Sequence, residues 1–379
     1  MHSKPKPPLT WGCVLRVVAK AAALFVLLNV TFAALDPLEW LGRLTLYNWV
    51  FPGRERLPYG EDSAQSYNLS LNNIPAMLSS HVIARRKAPD EFRLILIGDS
   101  SAWGWFLENK DTLAAQLNQG RYTTSDGRRV VAYNLGYPIM SLSKDLLLLD
   151  EAMHAQPDML VWLVTLESFP RDKQLVHPIL QNNPTRMRQL IADFQIKLDP
   201  RDARFVDPDF MHRTIVGQRR ALADLLRLQL YGVSWAATGM DQSIPREIPR
   251  RQSDFDEDSR WQNFDAPLHG APAPLTGDEL AFDVLAAGIK RAGTTPVLIV
   301  NEPMVISRGK NSQLRYNSFY PRWAYDAYRA HLTATAQANG WHLLDVWDSV
   351  APDEFTNTPV HLTPKGSAQL AAILSATLR

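Results

Sequence analysis

The sequence predicts an α/β protein in which a parallel five-stranded sheet is covered by helices on both faces. Three observations carry this. Five short apolar runs, Leu94 to Ile97, Val130 to Tyr133, Met159 to Val164, Val297 to Val300 and Leu343 to Val346, read as buried strands. Helical patterns lie between them, over Lys110 to Asn118, Lys144 to His154, Glu279 to Ala292, Ala324 to Asn339 and Lys365 to Leu378. The two kinds of segment alternate, and strands joined by helices pair in parallel under cover on both sides. In such a sheet the site lies where the carboxyl ends of the strands meet the following turns.

The chain of 379 residues is long enough for one large domain of this class or two smaller ones. Its 40 Lys and Arg against 39 Asp and Glu leave a net charge of +1, so no global field favours nucleic acid as a partner. The single cysteine, Cys13, excludes an intramolecular disulfide framework and multi-thiolate metal sites. His177, His212, His269 and His331 show no ligand spacing, and no metal or other cofactor is expected.

The N-terminus is uneven. His2, Lys4, Lys6, Arg16 and Lys20 precede an apolar run from Ala21 to Leu35 that is broken only by Asn29 and Thr31. Val14, Leu15, Val17 and Val18 extend it backwards, while Arg16 and Lys20 can snorkel. Residues 1–40 are read as a cytoplasmic flank and signal-anchor helix that leaves everything after Asp36 on the other side of a membrane. A cleaved signal peptide is the alternative, with Thr31-Phe32-Ala33 a poor small-x-small site, and a buried amphipathic helix is the third reading. An exported domain with its one thiol at or before the membrane suits an oxidising compartment. Trp40, Tyr47, Trp49 and Phe51 follow, suited either to a membrane interface or to ordinary packing. Residues 41–90 read as a lead-in or linker with a short helix near Asn73 to Ser79, and residues 91–379 as the main domain.

An insertion at about 171–275 breaks the strand-helix rhythm. It carries one amphipathic segment, Gln218 to Tyr231, with Leu222, Leu225, Leu226 and Leu230 at helical spacing, then a proline-rich charged stretch from Ile244 to Pro274. The whole reads as a cap, a partner surface or a structural insertion.

Chemistry-bearing residues cluster just after the strands. Gly98-Asp99-Ser100-Ser101 follows the first, which sends the Ser100 hydroxyl into the cleft and leaves its own N–H near a helix N-terminus. Serine is also a favoured helix cap, which is the plainer reading of Ser100. Val360-His361-Leu362-Thr363-Pro364-Lys365-Gly366 puts a histidine in the loop before the last helix, on the same edge. A serine and a histidine brought together there make a nucleophile and a base. Asn134 and Gly136 follow the second strand, where a turn and its cap would account for both. Asn301-Glu302-Pro303-Met304 follows the fourth strand. Arg315 and Tyr316 open an aromatic and guanidinium cluster, running to Arg322-Trp323, that suits sugar stacking or core packing.

Gly-Asp-Ser-Ser after the first strand, Asn134-Leu135-Gly136 after the second and His361-Leu362-Thr363-x-x-Gly366 before the last helix resemble the SGNH (GDSL) hydrolase superfamily. The resemblance covers about residues 91–168 and 279–379 and implies a flavodoxin-like α/β/α sandwich. It also implies Ser100 as nucleophile, Gly136 as an oxyanion-hole donor beside the Ser100 N–H, and His361 as base. Two departures stand out. Glu167 occupies the place of the family's oxyanion asparagine, so it must be protonated, turned away or replaced by a donor such as Asn301. Thr358 stands three residues before His361 where the family usually has aspartate, leaving Asp353, Glu354, a backbone carbonyl or nothing to orient the imidazole. Asn134, Glu167, Arg315 and Tyr316 are the candidate substrate contacts. The expected activity is a serine esterase or O-acyltransferase on acyl esters of a cell-surface glycan, with alginate-acetyltransferase-type anchored proteins behind the transferase option. Polysaccharide-assembly proteins would be its partners. A non-catalytic glycan-binding or scaffold protein is the rival reading and a lipid esterase a third.

Overall fold

The computed structural model describes residues 10–60, 69–241, 244–249, 275, 278–309, 312–313, 316 and 320–377. Five strands, β1 (Glu91–Ile97), β2 (Arg129–Asn134), β3 (Met159–Val164), β4 (Val297–Asn301) and β5 (His342–Asp345), form one sheet in the order β2-β1-β3-β4-β5, and every adjacent pair is parallel. This is the flavodoxin-like order, with its topological switch between β1 and β3. The helices are α1 (Trp11–Leu35), α2 (Leu38–Gly42), α3 (Ile74–Ser80), α4 (Ser100–Trp103), α5 (Leu113–Gln119), α6 (Leu142–Ala152), α7 (Pro178–Gln181), α8 (Pro184–Phe194), α9 (Arg219–Thr238), α10 (Phe282–Ala292), α11 (Arg322–Asn339) and α12 (Pro364–Thr377).

Alternation along the strands splits the core in two, because successive side chains leave opposite faces of a sheet. Ile95, Ile97, Trp162, Val164 and Ile299 pack with residues of α6, α10 and α11. Leu94, Leu96, Val161, Leu163, Leu298 and Val300 pack with Leu113, Ala114 and Leu117 of α5 and Leu370, Ala371 and Leu374 of α12. The result is a three-layer α/β/α sandwich. Trp162 is the largest fully buried side chain and donates its indole N–H to Asp145 Oδ2 at 3.1 Å.

Residues 41–90 differ from a linker. Tyr47, Leu57, Leu69, Leu71 and Met77 belong to the main core. Arg54 and Arg56, both fully buried, meet Asp241 just beyond α9 at 3.5 and 3.8 Å. These core and ion-pair contacts make its described residues part of the domain. The aromatic stretch divides: Tyr47 is buried edge-on against Phe51 at 4.7 Å, whereas Trp49 is 83% exposed. Within the insertion α7, α8 and α9 are formed, and α9 runs about two turns past the expected Tyr231 because Gly232 and Trp235 pack against Tyr47. Most of the proline-rich stretch, 250–274, lies outside the described residues. Helix α1 has 25 residues and is long and apolar enough to cross a membrane.

Helix α10 approaches the sheet closely at Gly288, where a Cβ would fall 2.2 Å from Trp162 Cζ3. Alanine in a helix interior ordinarily gains about 1 kcal/mol over glycine. Gly288→Ala is nevertheless expected to destabilise the fold by about 2 kcal/mol through overpacking, read as a lower urea midpoint with an unchanged slope.

Candidate active site

Ser100 opens α4 immediately after the switch-point strand. Asp99 caps that helix, its Oδ1 accepting from Ser101 N at 2.7 Å, and the helix stops after one turn at Gly104, which takes a left-handed φ of 88°. The short helix presents the Ser100 hydroxyl while burying Ala102 and Trp103. Its seat is built from the lead-in segment: Trp103 Nε1 donates to Leu57 O at 2.9 Å, and Arg56 Nη1 donates to the carbonyls of Gly104 and Leu107 at 3.0 and 2.9 Å.

His361 comes from the opposite end of the chain, in the loop before α12. Its Nε2 lies 2.8 Å from Ser100 Oγ across 261 residues of sequence. The loop is pinned by its backbone, with His361 N donating to Thr358 Oγ1 at 3.1 Å and Thr356 N donating to His361 O at 2.8 Å. Thr358 therefore holds the histidine's backbone. The insertion reaches this loop as well, since Asn357 N donates to Pro249 O at 3.0 Å.

Neither candidate acid orients the imidazole. Glu354 accepts from Thr363 Oγ1 at 2.5 Å and Lys365 Nζ at 2.7 Å, Asp353 faces solvent, and His361 Nδ1 is buried with no hydrogen-bond partner among the described residues. The ring is held by aromatic surfaces: Trp105 stacks on it at 5.9 Å and 23°, and the Phe106 ring meets it edge-on at 6.0 Å. Phe106 adopts φ 67°, a left-handed conformation that costs a non-glycine residue about 1 kcal/mol and that turns its ring to the histidine. Burial pushes the His361 pKa down to about 4, so the imidazole is neutral at neutral pH and able to accept a proton.

The remaining sequence-based candidates are reassigned by their contacts. Asn134 is buried; its Nδ2 donates to Trp103 O at 3.2 Å and its Oδ1 accepts from Gly136 N at 3.1 Å, so it ties two turns together. The Gly136 N–H is engaged by that bond, and the absence of a side chain there serves close packing, since a Cβ would lie 2.4 Å from Trp103 N. Asn301 is fully buried, its amide donating to Asp345 Oδ1 at 2.8 Å and accepting from Tyr328 Oη at 3.1 Å, which turns it from an oxyanion to the sheet's far strand. Glu167 is held by Lys173 and Tyr320. Tyr316 is buried against Tyr325 and Trp347 with Arg322 over its ring, which is packing, and Arg315 lies outside the described residues. Among these donors the Ser100 N–H lies in the first turn of α4, where amides have no partner within the helix. A surface depression of about 480 Å3 lined by Arg329, Thr333 and Asp345 includes neither Ser100 nor His361.

Beneath the site lies a buried ionic cluster that the sequence reading missed. Lys144, fully buried in the first turn of α6, donates to Gly98 O at 2.8 Å and Tyr137 O at 2.6 Å and pairs with Asp145 Oδ1 at 2.6 Å. It joins the turn carrying Ser100 to the turn after β2. Asp99 and Glu302, the latter just after β4, face one another in the same buried region. Burial raises Asp99, and burial together with the Asp99 charge raises Glu302 well above its ordinary value. Burial likewise pushes Asp145 up to about 6 despite Lys144. In the sequence Glu302 reads only as part of the segment after the fourth strand, and Lys144 as an ordinary helical residue, because nothing local distinguishes a lysine that will meet two distant carbonyls.

No protein-family model and no curated protein matches this chain. Among solved structures it is similar to a carbohydrate acetylesterase family member from Sinorhizobium meliloti, at 11% identity and a TM-score of 0.32 over 76% of this chain and 97% of that one. It is also similar to the M. smegmatis aryl esterase, at 13% identity and a TM-score of 0.32 over 76% of this chain and 98% of that one. At such values the reading of the site rests on its own geometry.

Two expectations follow from that geometry. Lys144→Met orphans two carbonyls and leaves the buried acids uncompensated, and should cost about 3 kcal/mol of unfolding free energy. Without the ammonium the folded pKa of Asp145, already raised, climbs further; stability from such a group is present below the unfolded pKa and lost as pH rises through the folded one. Chemical denaturation should therefore show a larger deficit for Lys144→Met at about pH 8 than at about pH 5. Trp105→Leu should keep the fold but lower the reactivity of Ser100 about tenfold, with Trp105→Phe recovering most of it, because a planar face and its attraction for the imidazolium are restored.

Proposed function

We propose that this chain is a serine esterase or O-acyltransferase, anchored in a membrane by α1 and acting outside the cytoplasm on acyl esters of a cell-surface glycan. The observation that carries the reading is the 2.8 Å contact between Ser100 Oγ and His361 Nε2 at the switch-point edge of the sheet. Ser100 attacks the ester carbonyl while His361 takes its proton at Nε2. The Ser100 N–H stabilises the oxyanion, and the imidazolium returns its proton to the departing alkoxide. Water or a sugar hydroxyl then gives its proton to His361 Nε2 and attacks the acyl-serine; the acyl–Oγ bond breaks and Ser100 Oγ takes the proton back, giving hydrolysis in the first case and transfer in the second. The transient imidazolium has no carboxylate at Nδ1 among the described residues and rests on the π-face of Trp105. The anchor supports the glycan assignment, because a tethered enzyme stays beside its polymer, and polysaccharide-assembly proteins would be its neighbours there.

A fluorophosphonate probe tests the reading on the full-length protein. Wild type should be labelled, and Ser100→Ala and His361→Ala should lose labelling by about a hundredfold or more, the usual worth of a general base. The rate should stay level from about pH 8 to about pH 5 and fall below that, since the buried His361 takes up its proton only near 4. Folded wild-type protein that resists the probe would contradict the reading and leave a binding platform of the same fold.

A further inference from the structure

A second feature points at the membrane from outside the anchor helix. Val216 N, in the loop leading into α9, donates to Asn29 Oδ1 of α1 at 3.2 Å, and Asn29 and Ala33 are the buried residues of α1. Asn29 lies six residues, or about 9 Å at helical rise, before the end of α1 at Leu35. With α1 across a bilayer, the loop that touches Asn29 sits at the depth of the helix's last turns, at or inside the headgroup layer. That loop exposes Phe210, Met211 and Val216, the second of these 68% exposed.

Helix α9 continues the same surface. It is fixed beside the chain leaving α1, with Gln229 Oε1 accepting from Leu46 N at 2.8 Å and Tyr47 Oη donating to Leu228 O at 3.3 Å. Leu228, Gly232 and Trp235 form its buried side. Ala223, Leu226, Leu230, Val233 and Ala237, spaced three and four apart, form an exposed apolar stripe, with Leu226 62% and Leu230 58% exposed. Exposed Arg219 and Arg220 open the helix next to Val216, where guanidinium groups meet lipid phosphates, and Trp40 and Trp49 are exposed on the segment packed beside it.

We infer that α9 and the loop from Phe210 to Val216 form a membrane-docking surface that seats the domain on the bilayer, with the apolar stripe of α9 in the headgroup and acyl boundary. The inference rests on α1 as an anchor and is independent of the chemistry at Ser100. The occupant is lipid because the surface is continuous with α1 through the Asn29 contact. Docking of this kind removes the free rotation that a single tether permits, and holds Ser100 and His361 at a fixed height above the membrane.

The test uses the full chain in vesicles of phosphatidylethanolamine and phosphatidylglycerol. Cys13→Ser removes the one native thiol. Nitroxides are then placed singly through Met211→Cys, Leu230→Cys and Val233→Cys, with Leu24→Cys marking α1 and Gln337→Cys marking an exposed position on α11. Labels at 211, 230 and 233 should collide several-fold more with lipid-soluble oxygen than with a water-soluble nickel chelate, as the label at 24 does, and the label at 337 should show the reverse. A lipid-exposed label at 24 with water-exposed labels at 211, 230 and 233 would overturn the docking surface and leave the anchor. Labels at 230 and 233 shielded from both reagents would overturn it in favour of a second copy of the chain. A water-exposed label at 24 would remove anchor and docking together.

Discussion

Parallel strands impose one constraint from which the rest of this molecule follows: every strand-to-helix turn emerges at the same edge of the sheet. Ser100 follows the first strand and His361 precedes the last helix, yet they meet at 2.8 Å because the sandwich closes both faces and leaves that edge as the place where turns can converge. The burial of Leu94 to Ile97 on both faces, divided between two hydrophobic clusters, is thus also the force that positions the serine.

Convergence alone does not hold a turn still. The turn after β1 is clamped by the Lys144 ammonium on the Gly98 carbonyl, by Asp99 on the Ser101 N–H, and by Arg56 on the carbonyls of Gly104 and Leu107. The Lys144 and Arg56 groups are buried with partners far away in sequence, and removing one partner would leave the others unsatisfied at a high energetic cost. The imidazole is held differently. Trp105 and Phe106, projecting from the end of the serine's own turn, supply a face and an edge in place of a carboxylate, and the cost of a left-handed Phe106 is offset by that placement.

Much of the fold was legible because buried parallel strands are written as continuous apolar runs: Met159 to Val164 matches its strand residue for residue, and the other four runs differ by a few terminal residues. The serine and the histidine were legible for a related reason, since Ser100 lies just after such a strand and His361 just before the last helix. What was not legible depends on side chains meeting across long separations. Thr358 in place of an acid was visible, but not that aromatic rings would take over the imidazole. Asn301 reads as a donor because it follows a strand, and Gly136 because the resemblance implies it; only their contacts with Asp345, Tyr328 and Asn134 show the hydrogen bonds already made. Residues 41–90 lack periodicity and read as a lead-in or linker, although Arg54, Arg56 and Leu57 are among the most buried residues of the domain. Irregular backbone can be core when buried arginines satisfy its neighbours' carbonyls.

The central claim is that Ser100 becomes acylated with His361 as its base. Its most direct test is an acid-quenched peptide map after a short incubation with p-nitrophenyl acetate. Acetyl on the peptide bearing Ser100 in wild type, and its loss in a folded His361→Ala variant, is the predicted result. Release of p-nitrophenol without acetyl on Ser100, or no release from the folded wild-type protein, would contradict the account.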